Sequence, residues 1–575
     1  MAKFCNSMDS YQLNEKNMPC YTSVGVSINP TTKKLNDDLG LVALDSQIIG
    51  KRGMSNNGLK DSDLEYLYNT IIKNVSNLDK DKKNEYISYL VKLIFKIRDI
   101  HDGNGERDIF KSLLLKLNEL NHELVVDTIP LLVGGYFHNG ELNKNMPYGS
   151  FTDLNSIYMM CDNLGTLNSL KLKRAIIMYY KDVLLKDSSA EHPTFACKWV
   201  PKEKKKINKE SKMTLSIARE LFGHNLLHSD LYKSFRKLIS KLTDKIKIPE
   251  NYMSANKWEQ LEVKDFPSKC FNKYIKALKY ENKDGTLRQP EKLDRIILRE
   301  KILTEQRKAL SNPSESKINT STLYPHDILK KIISSTNSSD IESYNAMFSK
   351  FEQQFKDKMN DGVIPPGVIL ADVSGSMTGL PMDVCISLSI LLSNLFEGPF
   401  KNKVLTFETN PQWHTIQGNT LSEKYNSLKN APWGNSTNFH LALKCILDTA
   451  IQNKLLDNDM PKILYVFSDM QWNTACGIYS SQPKEVGFDL IKKQFKDAGY
   501  KLPHIVFWNL RATNTYNNNS EQKNTTMMSG FSPNLFKQFM NGNFIQHTPW
   551  TSLKELLDSQ RYEPIDNILQ KYYPQ

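Results

Sequence analysis

The chain lacks the features that announce most function classes. No apolar run reaches the ~18–20 residues that a membrane span requires. The opening residues, MAKFCNSMDSYQLNEK, have no apolar h-region, so no signal peptide is expected. The eight cysteines (Cys5, Cys20, Cys161, Cys197, Cys270, Cys385, Cys445 and Cys476) are scattered and form no CxxC pair. That argues against a zinc finger or a disulfide scaffold and for a reducing, intracellular compartment. No Walker motif, no GxSxG and no Cys/His nucleophile pair is present. RRM, KH and zinc-knuckle signatures are absent too, so sequence-specific RNA readout has no support. Arginine is scarce, 12 of 75 basic residues. With many Asn and Ile, that bias reads as an AT-rich genome rather than as function.

What is present is a chain of 575 residues, 40% hydrophobic and 24% charged, long enough for two to four globular domains. The formal net charge of +12 is unevenly spread. Residues 1–350 hold 55 basic and 43 acidic side chains, residues 351–575 hold 20 of each, and residues 201–300 alone hold 24 against 14. A basic half joined to a neutral half suggests two tasks, with the basic half the candidate for a polyanion. A solvated Lys-rich surface is the plain alternative.

Residues 1–60 are polar and weakly patterned and read as an irregular arm. From 61 onward apolar residues keep helical spacing. Examples are Ile87, Leu90, Val91 and Ile94; Ile109, Leu113, Leu114 and Leu117; Ile176, Ile177, Tyr180, Val183 and Leu184; and Tyr232, Phe235, Leu238, Ile239 and Leu242. The spacing predicts an all-α stack over 61–345, HEAT-like but without a fixed period. Loop-rich segments at 311–325 and 334–340 mark the approach to a boundary. After 360 the pattern changes. VILA (368–371), KVLTF (403–407), KILYVFSD (462–469) and HIVFWNL (504–510) read as strands. They are separated by helices over 381–396 and 438–451. Near-continuous apolar strands alternating with helices predict a parallel sheet covered on both faces over 360–575.

Sites in such sheets form at the carboxyl ends of strands. Three polar groups fall at such ends or before the following helix: Asp372-Val-Ser374-Gly-Ser376, Gly434-Asn-Ser436-Thr437-Asn438, and Ser468-Asp469. Two serine hydroxyls, a threonine hydroxyl and two carboxylates are the oxygen donors that a hard divalent cation such as Mg²⁺ takes. Gly375 lets the first loop turn both hydroxyls toward one point. The competing reading is that Asp372 and Ser374 cap a helix. The arrangement resembles the von Willebrand factor A domain and its metal-ion-dependent adhesion site, over 362–575. The resemblance implies Asp372, Ser374, Ser376, Thr437 and Asp469 as metal ligands, with Ser436 an alternative to Thr437. A haloacid-dehalogenase-like phosphatase needs a second acid two residues after the first; here that position is Ser374.

A basic helical front half before this domain resembles the Ro autoantigen family, which joins TROVE helical repeats to a von Willebrand A domain and binds small structured RNAs. Segments across the chain resemble more closely the family called domain of unknown function 2828. They are RDIHDGNGERDIF (98–110), YGSFTDL (148–154), ACKWVPKEKK (196–205), MSANKWEQLEVKDFPSKC (253–270), ILADVSGSM (369–377), VFWNLR (506–511) and SGFSPNLF (529–536). That family has no established activity, and its members occur in plants, fungi and large DNA viruses. The resemblance therefore implies architecture rather than function.

The candidate RNA-binding residues are Lys202, Lys204, Lys205, Lys206 and Lys209 in one run, and Lys233, Arg236, Lys237, Lys241 and Lys245 on the next helix. Lys233, Lys237, Lys241 and Lys245 follow i, i+4 spacing, where like charges destabilise a helix by a few tenths of a kcal/mol each. A polyanion offsets that repulsion. Trp199 or Trp258 could stack on an exposed base, against the ordinary reading of core anchors. His224 and His228 have the spacing to share a helix face but lack the Glu of a zinc protease, so packing or capping is expected. Gly103-Asn-Gly105 follows no strand and reads as an inter-helix turn.

The expected protein is α plus α/β: an all-α repeat domain, then a three-layer, Rossmann-like α/β domain. The expected function is non-enzymatic binding, with RNA on the basic helical surface and an acidic group of a protein partner at a Mg²⁺ site. No membrane partner is expected, and the location is cytoplasmic, or the virion for a viral source. The alternatives are a protein-interaction or structural scaffold without RNA and, remotely, a metal-dependent hydrolase. For the last, the sequence places no general base beside the site.

Overall fold

The computed structural model describes the backbone of residues 69, 71–134, 137–138, 141–142, 147–203, 209–282, 284–321, 323–357, 366–406, 410–431, 439–468, 484–510, 525–529, 553–554 and 556–574. The arm expected over 1–60 lies outside these. Described residues fall into two compact units, one built from 71–257 with 553–574, the other from 258–529.

After a helical stretch at 71–75, the first unit runs through α1 (Lys80–Arg98), α2 (Asp108–Leu120) and α3 (His122–Val133). A small hairpin follows, β1 (Phe137–His138) with β2 (Glu141–Leu142). Then come α4 (Phe151–Leu164), α5 (Leu167–Ser189), the short α6 (Ala196–Trp199), α7 (Lys209–Phe222), α8 (His228–Asp244) and α9 (Pro249–Ser254). The starts are specified locally. Asp79, Asn121 and Thr166 accept from backbone N–H groups in the first turns of α1, α3 and α5. Ser150 and Asp153 form a capping box on α4. The predicted stripes are buried: Ile87, Leu90, Val91 and Ile94 on α1, and Phe235, Ile239 and Leu242 on α8. Neighbours in sequence pack on one another, as short connections dictate.

The second unit opens with four helices, α10 (Ser268–Lys279), α11 (Leu293–Ser311), α12 (Pro325–Ile333) and α13 (Ser338–Asp357). The strands are β3 (Gly367–Ala371), β4 (Lys403–Thr406), β5 (Trp413–Thr415), β6 (Ile463–Ser468), β7 (His504–Asn509) and β8 (Thr525–Ser529). Between them lie α14 (Leu380–Leu395), α15 (Leu421–Lys429), α16 (Phe439–Gln452) and α17 (Lys484–Asp497). The sheet runs β5-β4-β3-β6-β7-β8, parallel except where β5 pairs antiparallel with β4. Alternate residues divide between its faces. Val368, Leu370, Leu464, Val466, Ile505 and Phe507 pack with Ala442, Ile446 and Leu447 of α16 and Ile491 and Phe495 of α17. Helix α14 covers β3 and β4 from the other face. Gly367 has no substitute there, since a Cβ would stand 2.8 Å from the Phe396 ring stacked on Tyr465.

An all-α region followed by an α/β sheet with helices on both faces is the expected fold class. The compact units nevertheless part at 257/258, before α10, rather than where strands begin. The reason lies in α14, LPMDVCISLSILLSNL, which is apolar nearly all round and needs cover on the side away from the sheet. Helix α12 supplies it, while α13 packs on α12 and α15. Asn345 of α13 also donates to Ser422 Oγ (2.9 Å) and accepts from Ser422 N (3.0 Å) at the start of α15. The edge strands β5 and β8 have no counterpart in the sequence reading, because WHT and TTMMS carry no apolar run.

Past the sheet, a final helix α18 (Glu563–Tyr572) belongs to the first unit and packs on α1 and α3.

Candidate functional site: a polar loop at the strand switch point

Strand order places β3 beside β6, while the chain leaves β3 for β4 on one side and reaches β7 on the other. The carboxyl ends of β3 and β6 therefore flank the topological switch point, where α/β sheets open a crevice. Asp372 follows β3 and is almost fully buried. Its N–H donates to Phe467 O at 2.9 Å, extending the ladder by one residue. Its Oδ1 accepts from Ser374 N at 2.9 Å, an Asx turn that reverses the chain. Its Oδ2 accepts from Ser468 Oγ at 2.7 Å, at the end of β6. Residues Gly375–Met377 form one tight turn, and Ser374 Oγ lies 3.0 Å from Ser376 Oγ. Beneath the loop Cys385 of α14 is fully buried; burial, with the nearby Asp372 charge, pushes its thiol well up.

The structure thus brings Asp372, Ser374 and Ser376 together, with Ser468 joining them. Ser468 was visible in the sequence only as the residue before Asp469. Its signal is position, the last residue of the strand paired with β3. Thr437, its alternative Ser436, and Asp469 lie outside the described residues. The capping alternative does not hold for α14. That helix starts at Leu380 behind Gly379, with no side-chain cap. The donors are all oxygens, a carboxylate and hydroxyls, which fits a hard cation better than a soft one. Among the described residues no three His, Cys, Asp or Glu side chains gather as a metal cluster.

The basic surface belongs to the first unit. On α8, Lys233, Lys237 and Lys241 are exposed and form no ion pair among the described residues. Arg236 pairs with Glu203, which brings the neighbouring, exposed Lys202 to the same helix. Lys245 is committed elsewhere: its Nζ donates to Ala190 O (2.8 Å) and Ser188 O (3.3 Å), carbonyls at the end of α5. Lys204, Lys205 and Lys206 lie outside the described residues, as does the side chain of Lys209.

The two tryptophans part ways. Trp258 is buried, with the Arg295 guanidinium 3.5 Å from its ring centre, so it is not open to a base. Trp199 is 43% exposed on α6, with Lys198 Nζ 5.4 Å from its ring. His224 and His228 do not share a helix face. A turn at 223–227 separates α7 from α8, and His228 meets Arg219 at 2.7 Å while His224 faces Glu220 at 3.5 Å. Gly103-Asn-Gly105 is the inter-helix turn expected, with Asn104 N donating to Lys96 O and Gly105 N to Asp99 O.

Two family models match parts of the chain. Residues 179–288 match a domain of unknown function (DUF2828), and residues 367–567 match a domain of unknown function (DUF7788). The first bears out the resemblance read from the sequence and covers the basic helices. The second covers the sheet. An uncharacterised protein of Acanthamoeba polyphaga mimivirus is 28% identical over 503 residues, 84% of this chain and 81% of its own length. The crystal structure of the Deinococcus radiodurans RO (RSR) protein aligns with 88% of this chain and 99% of its own. Its identity is 12% and its TM-score 0.37, a likeness too distant to carry an argument. Among the described residues no helix is long and apolar enough to cross a membrane.

Proposed function

We propose that this chain is a non-enzymatic binding protein with two recognition surfaces. The basic face of α8 holds RNA by its phosphates. The loop after β3 holds a divalent cation such as Mg²⁺, through Asp372, Ser374 and Ser376 with Thr437 and Asp469, and through the cation an acidic group of a protein partner. The observation that carries the reading is the row Lys233, Lys237 and Lys241, exposed at i, i+4 spacing with no acid among the described residues paired to it. Such a row repels itself, and a phosphate backbone relieves it by counterion release. The cation would supply a Lewis-acidic point with a position left for an external carboxylate.

The test is binding of nuclease-treated protein to a structured small RNA across a salt series at fixed Mg²⁺. Affinity falls steeply with salt. In the Lys233→Glu, Lys237→Glu, Lys241→Glu variant it drops, and the log–log salt slope shrinks by roughly 2–3. Asp372→Ala keeps RNA binding and loses Mg²⁺-dependent partner capture. Salt-insensitive partner binding that survives the triple reversal would instead favour a scaffold without RNA.

A further inference from the structure

The segments RDIHDGNGERDIF and YGSFTDL play no part in either proposed surface, yet in the first unit they meet around one point. Arg98, at the end of α1, is buried and donates through Nε (2.9 Å) and an Nη (2.7 Å) to Asp153 Oδ2, in the capping box of α4. The next residue, Asp99, is fully buried and grips Arg561 bidentately, Oδ2 to Nε at 2.8 Å and Oδ1 to Nη2 at 2.7 Å. The guanidinium lies 4.4 Å from the Tyr148 ring centre, and Tyr148 OH donates to Arg561 O at 2.6 Å. Tyr562 stacks on Tyr148, the planes 6° apart, and its OH reaches Asp99 Oδ2 at 3.3 Å. The glycine turn makes room for this. A Cβ on Gly103 would stand 2.0 Å from Lys96 O, so the loop lies flat on the end of α1, and Gly105 takes a φ of 70°.

The rest of segment 553–574 follows the same surface. Lys92, nearly buried on α1, reaches Asp558 at 3.0 Å and Asp566 at 3.2 Å, and Tyr89 OH donates to Asp558 at 2.9 Å. Tyr572 OH donates to Asp127 of α3 at 2.6 Å, and Asn84 Nδ2 to Pro574 O at 2.9 Å. Leu557, Ile565 and Leu569 are buried beneath these contacts.

We infer that α1–α3 and the 98–110 and 148–154 segments form an acceptor surface whose ligand is the chain's own segment 553–574, with Arg561 as its anchor. An arginine held bidentately by a fully buried carboxylate and stacked on an aromatic ring is the arrangement of a docked anchor residue. Residues 258–529, the described part of the second unit, intervene in the chain before this ligand. The first unit is therefore a two-piece assembly, and the order of α1–α3 depends on a segment hundreds of residues away. The 98–110 and 148–154 segments build this seat rather than a reactive site.

The test is amide hydrogen exchange on the full chain. In Arg561→Ala, protection of residues 80–133 and 148–164 falls about a hundredfold, because Asp99 stays buried after losing the guanidinium that grips it. Protection of β3, β6 and β7 is unchanged. A labelled peptide spanning residues 550–575 then binds Arg561→Ala protein saturably and fails to bind the Asp99→Ala variant. Unchanged protection over 80–133, loss spread equally through β3, β6 and β7, or no peptide binding would each overturn the inference.

Discussion

Asp153 in the helical unit and Asp372 in the sheet unit are buried to nearly the same degree, 1% and 2% exposed. They are held differently. Asp153 faces the Arg98 guanidinium and the Ser150 N–H, an ion pair inside a capping box. Asp372 accepts from the Ser468 hydroxyl and from the Ser374 backbone N–H, two neutral donors that orient the carboxylate. The first serves cohesion. The second sits where strand order opens the sheet, beside two more hydroxyls, in the loop proposed above to hold a cation. Similar burial therefore does not mean similar bonding.

Four outcomes sharpen this contrast. The largest effect belongs to Asp153→Ala, which strands Arg98 in the interior. Chemical denaturation of the helical unit should lose about 3–5 kcal/mol. In the sheet unit a comparable loss needs a cavity rather than a charge: Leu464→Ala, in the middle of β6, should cost ~2–5 kcal/mol by the same measurement. Next comes Lys96, which burial lowers to about 8 from 10.5. Between those values the unfolded chain binds the proton and the folded chain does not, so stability rises with pH. The gain is at most ~1.4 kcal/mol per pH unit from 8 toward 10.5. Lys96→Met should flatten that part of the curve, and a slope that persists in it would assign the effect elsewhere. Asp372→Asn is the mildest for the fold, about 1–2 kcal/mol, since neutral partners remain for the amide. Its larger consequence is lost Mg²⁺-dependent partner capture, read by pull-down with and without chelator.

The sheet was the more legible region. VILA, KVLTF, KILYVF and HIVFWN are strands within a residue or two of the reading, because a parallel strand buried on both faces leaves a continuous apolar run. Edge strands leave no such mark, which is why β5 and β8 were missed. In the helical region the stripes on α1, α2, α5 and α8 were readable, but their partners were not. Lys245 and Lys241 stand four residues apart in the same row. One donates to carbonyls at the end of α5 and the other is exposed, with no ion pair among the described residues. Trp199 and Trp258 carry the same sequence signal, and only the Arg295 guanidinium over the second ring separates them.

Residue order is enough for the succession of helices and strands, the basic bias of residues 201–300 and the loop Asp372-Val-Ser374-Gly-Ser376. Each of these is local: a period, a composition, a turn. Tertiary structure alone decided that Ser468 joins Asp372, that Asn345 of α13 pairs with Ser422 of α15, and that Arg561 seats on Asp99. Those contacts join residues 96, 77 and 462 positions apart. Pairings at that range leave no periodic trace, because they depend on which surfaces remain uncovered once the local elements have formed.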